Sequence, residues 1–213
     1  LYPTSGAEQY MTELLALERQ TLTPQQSFMA LRPPVASVAL PTRHIDQEAL
    51  KILLRAIAEC AMLRASYQSI SRDEAPWRDI SPHAFGHDGA RWHVRAYCHL
   101  RQGFRDFILG RLLKVELVGA SDIKATDDIE WNTMVELQLA PHPSLTPSQR
   151  HGVEVDYDMQ DGKLALPCRQ AMLFYTLRSL NFSSAGEPRP GERQLVIANL
   201  DDIRHFLPRP SQA

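Results

Sequence analysis

The stretch Arg91-Trp92-His93-Val94-Arg95-Ala96-Tyr97-Cys98 decides the fold of the central part of this chain. Its residues alternate in character, and a β-strand places alternate side chains on opposite faces. One face would carry Trp92, Val94, Ala96 and Cys98, and the other would carry Arg91, His93, Arg95 and Tyr97. We therefore predict a strand with one apolar face buried in a core, Trp92 included, and one face of hydrogen-bond donors.

The positive charge of this region is local. Between residues 91 and 111 there are five arginines and one carboxylate, Asp106, whereas the 213-residue chain has a formal net charge of −2. Aromatic and imidazole rings interleave with these arginines, a mixture that suits phosphates and bases. By strand parity we expect Arg105 and Arg111 to converge on the first row. An anionic partner is the natural inference, and the alternative is a solvated sheet surface.

The flanking sequence predicts a small antiparallel sheet preceded by helices. From Met62 to Val118, short alternating runs are divided by Gly86, Gly89 and Gly103, which indicates short strands joined by turns. A first amphipathic helix is predicted to run to about Arg19, and Asp46 is predicted to cap a second helix. The apolar face of the first helix, with Tyr10, Leu14 and Leu17, has no evident cover, so we expect it at a two-fold interface.

A polar link from Ser121 to Glu130 follows, and its acids Asp127 and Asp128 are expected to be solvated. Strand and helix signals then alternate. Strands are predicted at 134–140, 164–166 and 195–198; helices are predicted after Thr146, which begins a capping box, from Pro167, and after Asn199. This order predicts a ferredoxin-like α+β unit.

Composition and spacing exclude several classes of function. No apolar run is long enough to span a bilayer and no signal sequence opens the chain, which predicts a cytoplasmic protein without membrane contact. The three cysteines lie far apart, and the histidines lack completing ligands, so no metal site or other cofactor is predicted. A hydrolase would need a general base, and only His83 and His93 could serve, without an evident orienting acid. We therefore expect no enzyme.

Residues Tyr67 to Leu112 resemble a WYL domain, whose Trp-Tyr-Leu strand motif here reads Trp92-His93-Val94. The resemblance includes the Ile-Ser-Pro-His run that ends at His83, and the Phe-Arg-Asp-Phe run that contains Arg105. Residues 131–182 resemble the C-terminal extension (WCX) of BrxR/CapW-type repressors, which sit beside bacterial anti-phage systems. The resemblance implies an Sm-like β-barrel, a homodimer, and a winged helix-turn-helix that reads operator DNA and precedes the segment seen here.

The predicted organisation is α+β with three parts. Residues 1–61 form an N-terminal helical and linker region, residues 62–120 the WYL barrel, and residues 121–213 a WCX-like dimerisation unit. Such a chain would be the ligand-sensing and dimerising portion of a transcriptional repressor.

The predicted effector is a nucleotide or a short nucleic acid, bound in the arginine-rich pocket of the WYL domain. In this hypothesis the guanidinium groups bind phosphates, His93 and Tyr67 stack on or donate to a base, and two further side chains close the rim. The predicted ligand-binding residues are Tyr67, Ser69, His83, His93, Arg95, Arg105 and Arg111. The alternative is a dimerisation or interaction module whose arginines form structural salt bridges with acids of the C-terminal unit and bind no small ligand.

Overall fold

The computed structural model describes residues 6–29, 31–38, 41, 43–71, 73–188 and 194–207. Contacts divide the chain into two compact units, Leu1–Arg43 and His44–Ala213. Among the described helices, none has the length and apolar character needed to cross a membrane.

The first unit consists of one helix and the segment that follows it. Helix α1, Ala7–Glu18, ends one residue before the predicted limit of Arg19. The Tyr10 hydroxyl donates to the carbonyl oxygen of Leu31 at 2.8 Å, and the Ser37 hydroxyl donates to the Glu18 carboxylate at 2.7 Å. Leu14 is only 5% exposed, so the expectation of an uncovered helix face is wrong at this residue.

The second unit opens with helix α2, Gln47–Glu59. The Asp46 carboxylate accepts a hydrogen bond from the backbone N–H of Ala49 at 2.7 Å, which confirms the predicted cap. The helix buries Leu53 and Ala56 in the core of the sheet that follows. It therefore covers the apolar face of that sheet.

This sheet has five antiparallel strands: β1, Ala61–Tyr67; β2, Trp77–His87; β3, Trp92–Cys98; β4, Gly103–Ile108; and β5, Leu112–Ala120. Their order is β4-β3-β2-β1-β5, and no described pairing joins the two edge strands. A 3-10 turn, Leu109–Arg111, leads from β4 to β5, which pairs with β1 on the far side of the sheet. The sheet is therefore open in the described pairings, in place of the closed barrel that the resemblance implied.

The C-terminal part contains α3, Ile129–Asn132; β6, Met134–Pro141; α4, Pro147–Asp156; β7, Leu164–Arg169; α5, Leu173–Ser179; β8, Leu195–Ile197; and α6, Leu200–Ile203. The strand order is β7-β6-β8, with both outer strands antiparallel to β6. Among the residues that the structure describes, this part has three strands, fewer than the predicted ferredoxin-like unit would have. The α+β class itself is confirmed.

The structure confirms one local sequence signal in this part and contradicts another. The capping box between Thr146 and Gln149, with Pro147 as the first helical residue, is confirmed. Pro167 does not open a helix, because it lies within the edge strand β7, where the missing N–H of proline is tolerated. The next α-helix begins at Leu173.

Asn199 precedes α6 but makes no capping hydrogen bond with its side chain. Its side-chain oxygen accepts from the backbone N–H of Gln138 at 2.9 Å, and its side-chain nitrogen donates to the carbonyl oxygen of Glu136 at 2.9 Å. Both partners belong to β6. The side chain thereby continues the hydrogen bonding of β8 beyond its last residue, Ile197.

Candidate functional site

Strand β3 is buried on both faces. Val94, Ala96 and Cys98 are 0% exposed and belong to the core beneath α2, as the alternation predicts. On the opposite face His93 and Arg95 are also buried, at 3% and 4% exposure. The donor row is therefore covered by other parts of the chain.

Trp92 departs from the predicted pattern, because 48% of it is exposed. It is the first residue of β3 and pairs with His87, the last residue of β2, so it lies where the hairpin leaves the core. Its ring packs against the His87 ring, with 4.7 Å between ring centroids. Strand parity assigns the face correctly, but the core ends before this position.

Arg95 is bound by three carboxylates. Its Nε donates to Asp128 Oδ2 at 2.7 Å and its Nη2 to Asp128 Oδ1 at 3.0 Å, a bidentate pair. Nη2 also donates to Glu130 at 2.8 Å, and Nη1 to Asp106 at 3.4 Å. Burial would lower the pKa of Arg95, but these acids outweigh it and raise the pKa further. The guanidinium is permanently charged, and each of its three nitrogens has a carboxylate partner.

Asp128 is the residue that sequence reasoning missed. It was expected to be solvated, yet it is only 1% exposed. Besides Arg95, it accepts hydrogen bonds from His83 Nε2 at 2.9 Å and from the backbone N–H of Trp131 at 3.1 Å. Burial would raise the pKa of this carboxyl, but the His83 and Arg95 hydrogen bonds hold it well below its usual value. The one signal in the sequence was an aspartate placed to cap a short helix.

A second acid orients the other buried histidine. His93 Nε2 lies 2.9 Å from Asp88 Oδ2, and Asp88 also accepts from the backbone N–H groups of Ala90 and Arg91. Burial would raise the pKa of Asp88, but these hydrogen bonds lower it to about 2. His83 and His93 thus both have orienting carboxylates, contrary to the expectation from the sequence.

Tyr175 of α5 brings the C-terminal part onto the same face of the sheet. Its hydroxyl donates to Asp106 Oδ2 at 3.2 Å, and its ring centroid lies 4.8 Å from that of His93. Burial, followed by the charge of Asp106, raises the pKa of Tyr175. Burial also raises the pKa of Asp106, although Arg95 acts in the opposite direction. Arg95 of β3 therefore contacts the link, and Asp106 of β4 contacts α5.

The remaining predicted site residues lie elsewhere. The Tyr67 hydroxyl accepts from the backbone N–H of Ile108 at 3.3 Å, and its ring packs edge-on against the buried Phe107. The Ser69 hydroxyl lies 3.3 Å from that of Ser71. Arg105 is exposed and pairs across the strands with Ala96, so it faces away from Arg95.

Arg111 lies half-buried in the 3-10 turn between β4 and β5. Like Arg105, it forms no ion pair with any described residue. The structure thus brings His83, His93 and Arg95 into one network. It places Tyr67, Ser69, Arg105 and Arg111 outside it.

The network joins the sheet to the link and to α5 through buried, charge-assisted hydrogen bonds. Removing one partner would leave the other charge buried and unpaired, which is costly, so the network fixes one geometry. Within the described ranges, no three His, Cys, Asp or Glu side chains are placed to hold a metal ion together.

Two family models match this chain. Residues 48–117 match the WYL domain, a range that begins inside α2 and ends in β5. Residues 134–203 match the model described as "BrxR transcriptional regulator, C-terminal dimerization domain", a range that runs from β6 to α6. The link with Asp128 lies between the two matched ranges.

Three relatives carry the name DNA-binding transcriptional repressor CapW. The protein of Stenotrophomonas maltophilia is 44% identical over 205 residues, 95% of this chain and 69% of its own length. Those of Pseudomonas aeruginosa and Escherichia coli are 41% and 39% identical, each over 97% of this chain and 70% of its own length.

A solved structure, proteasome accessory factor B/C of Arthrobacter aurescens, is 22% identical over 78% of this chain and 27% of that one. Its TM-score of 0.35 is too low to inform fold or function. The identity with the three repressors extends over nearly the whole chain and includes both matched domains. The chain therefore belongs to the CapW family of WYL-domain transcriptional repressors.

Proposed function

We propose that this chain is the effector-sensing and dimerising part of a cytoplasmic repressor, whose binding to operator DNA changes when an anionic effector binds the WYL domain. The names of the relatives support operator binding, and the family model for residues 134–203 supports a homodimer. The proposed effector is a nucleotide or a short nucleic acid, because the polar face of the sheet is built around arginine and histidine.

The observation that carries this proposal is the position of Arg95. The side chain most suited to bind a phosphate is also the one that fastens the WYL sheet to Asp128 and Glu130 of the link. An effector that engages this face changes the attachment of the link and so the arrangement of the dimerisation unit. A ligand shifts a conformational equilibrium when it binds one arrangement better than the other.

The unpaired arginines have a separate part in this proposal. Arg105 is exposed and Arg111 half-exposed, and neither is neutralised by a described carboxylate. In this proposal they attract the effector through their charge, and Tyr67 and Ser69 supply further contacts outside the Arg95 network. Arg95, His83 and His93 then bind its phosphate and base.

A second candidate function follows from the same network. Every nitrogen of the Arg95 guanidinium already has a carboxylate partner. This saturation is what a structural salt bridge provides, and it favours a dimerisation or interaction module that binds no small ligand. Direct binding measurements separate the two functions.

The test is a fluorescence-anisotropy titration of the chain with a labelled short oligonucleotide and with labelled nucleotides at low salt. We expect binding that weakens as salt rises, because bound phosphates release counterions. Arg105→Ala and Arg111→Ala should each lose about 1–3 kcal/mol of binding, as for a charge-assisted contact. Arg178→Ala, which removes the same charge from an exposed position on α5, is the matched control and should bind normally.

Absence of binding at low salt would leave the second candidate as the function. Sedimentation at micromolar concentration tests the dimer in both cases, and a monomer there would contradict both proposals. For the first proposal, effector added to the intact repressor should release operator DNA.

A further inference from the structure

We infer that Arg95 and His83 form a phosphate subsite that the chain's own Asp128 occupies in this structure. The subsite therefore binds either Asp128 of the link or a phosphate of the effector, but not both. The inference rests on the function proposed above and adds how effector binding is regulated. The link acts as an internal competitor of the effector. The competing group is a carboxylate, and the group it stands in for is a phosphate of the effector.

The geometry around Asp128 is that of a bound anion. Arg95 holds its two oxygens with Nε and Nη2 at 2.7 and 3.0 Å. Guanidinium groups use the same planar fork to bind carboxylates and phosphates. His83 Nε2 adds a ring donor at 2.9 Å, and both side chains are nine-tenths buried or more. A rigid, water-shielded set of donors therefore surrounds the anionic group.

The nitrogens of Arg95 are already shared among three carboxylates. Nε and Nη2 are committed to Asp128, Nη2 is shared with Glu130, and Nη1 faces Asp106. A phosphate can bind these nitrogens only after Asp128 has left them. A phosphate added beside these three carboxylates would also be repelled by them, and in a buried site that repulsion is poorly screened.

Around Asp128 the link is exposed, and its other anchors lie towards its two ends: the Ser121 hydroxyl lies 2.7 Å from that of Ser81, and the Trp131 carbonyl oxygen accepts from Arg169 Nη1 at 2.6 Å. Ile129 and Glu130, which follow Asp128, are 75% and 56% exposed. Helix α3 is only four residues long, and its N–H groups depend on the Asp128 side chain for capping. Between these anchors, attachment of the link depends on the anion subsite, together with the packing of Trp131 against His83. Displacing the Asp128 carboxylate would therefore loosen the middle of the link.

One substitution in the network is expected to strengthen effector binding. Asp128→Asn removes the competing charge but keeps a side chain that caps helices equally well. It should increase the fraction of molecules with an open subsite, and apparent affinity rises with that fraction. A purely structural role for Asp128 predicts the opposite, because loosening the network would disorder the site.

The experiment compares four proteins in the anisotropy titration with a short fluorescein-labelled oligothymidylate: the parent, Asp128→Asn, Asp127→Asn, and Arg95→Ala in the Asp128→Asn background. Asp127→Asn is the matched control, since it removes the same charge one residue away at an exposed position. We expect Asp128→Asn to bind about tenfold more tightly, within the usual range of coupling between sites. Asp127→Asn should match the parent, and the gain should disappear when Arg95 is lost.

Denaturant unfolding establishes that each variant is folded. If Asp128→Asn does not fold, Glu130→Gln replaces it, because Glu130 binds the same Arg95 nitrogen from a half-exposed position and should give a smaller gain of the same sign. Equal or weaker binding by a folded variant, with binding by the parent intact, would overturn the inference and leave the proposed function standing. Binding by none of the four proteins would overturn both.

Discussion

Gly110 lies against His44 so closely that a Cβ atom on Gly110 would come within 2.7 Å of the His44 carbonyl oxygen. Gly110 belongs to the 3-10 turn between β4 and β5, and His44 lies just before α2. The contact is with backbone, which cannot rotate away as a side chain can. The turn that leads from one edge of the sheet to the other therefore requires glycine at this point.

Gly110→Ala should destabilise the protein by about 1–3 kcal/mol, because the added methyl group forces the backbone apart. Gly119→Ala is the matched control, since a Cβ at Gly119 meets nothing within 4 Å. Urea unfolding of both variants measures the difference. Equal stability of the two would contradict the close approach.

Arg95 and Asp128 should be strongly coupled in stability. Arg95→Ala or Asp128→Ala alone leaves a buried charge without its partner, and each should cost about 3–5 kcal/mol. The double variant should cost clearly less than the sum of the two, because it removes both charges. Additive losses in a double-mutant cycle, measured by denaturant unfolding, would show that the pair is not an energetic unit.

Trp92→Ala should have a small effect on folding for so large a side chain. Trp92 is 48% exposed, and its principal ring contact is with His87, so a loss of about 1 kcal/mol is expected. Phe107→Ala, at a residue 4% exposed in the core, should cost about 3–5 kcal/mol and serves as the comparison. Thermal unfolding would contradict the assignment if the tryptophan variant melted at the lower temperature.

Asp88 should contribute to acid unfolding. Its pKa is about 2 in the folded protein against 3.8 ordinarily, so the unfolded chain takes up the proton first as the pH falls. The stability that Asp88 supplies is complete above about pH 4 and is lost as the pH falls towards 2. Asp88→Asn should be less stable at neutral pH, and its free energy of unfolding should fall less between pH 4 and pH 2. The free energy of unfolding of both proteins can be measured by urea unfolding at each pH. Equal losses for the two proteins as the pH falls would contradict this prediction.

Alternation and capping rules, which depend on near neighbours in sequence, performed well here. They predicted β3, the Asp46 cap, the Thr146 capping box and the general α+β class. They failed where a distant partner decides the outcome. Nothing near Asp128 in sequence indicates that Arg95, 33 residues earlier, draws it into the interior.

The same limit applies to the polar row of β3. Its residue types predicted donors on one face, and His93 and Arg95 do share that face. Whether such a row contacts water, a ligand or the chain's own acids depends on how the C-terminal part packs. The hydrogen bond from Tyr175 to Asp106 shows that the C-terminal part packs against this face of the sheet. The prediction that Arg105 converges on this row is wrong, because the register of β3 with β4 pairs Arg105 with Ala96 on the opposite face.

The Asn199 side chain has a consequence for the exposure of β6 to pairing with a foreign strand. A carboxamide presents an N–H donor and a carbonyl acceptor in one plane, like a peptide group, and here it fills the position that a further residue of β8 would occupy on β6. Strands with unpaired edge groups invite pairing with foreign chains. Because Gln138 N–H and Glu136 C=O are both bound to Asn199, these two peptide groups of β6 are closed to strand pairing with a second molecule.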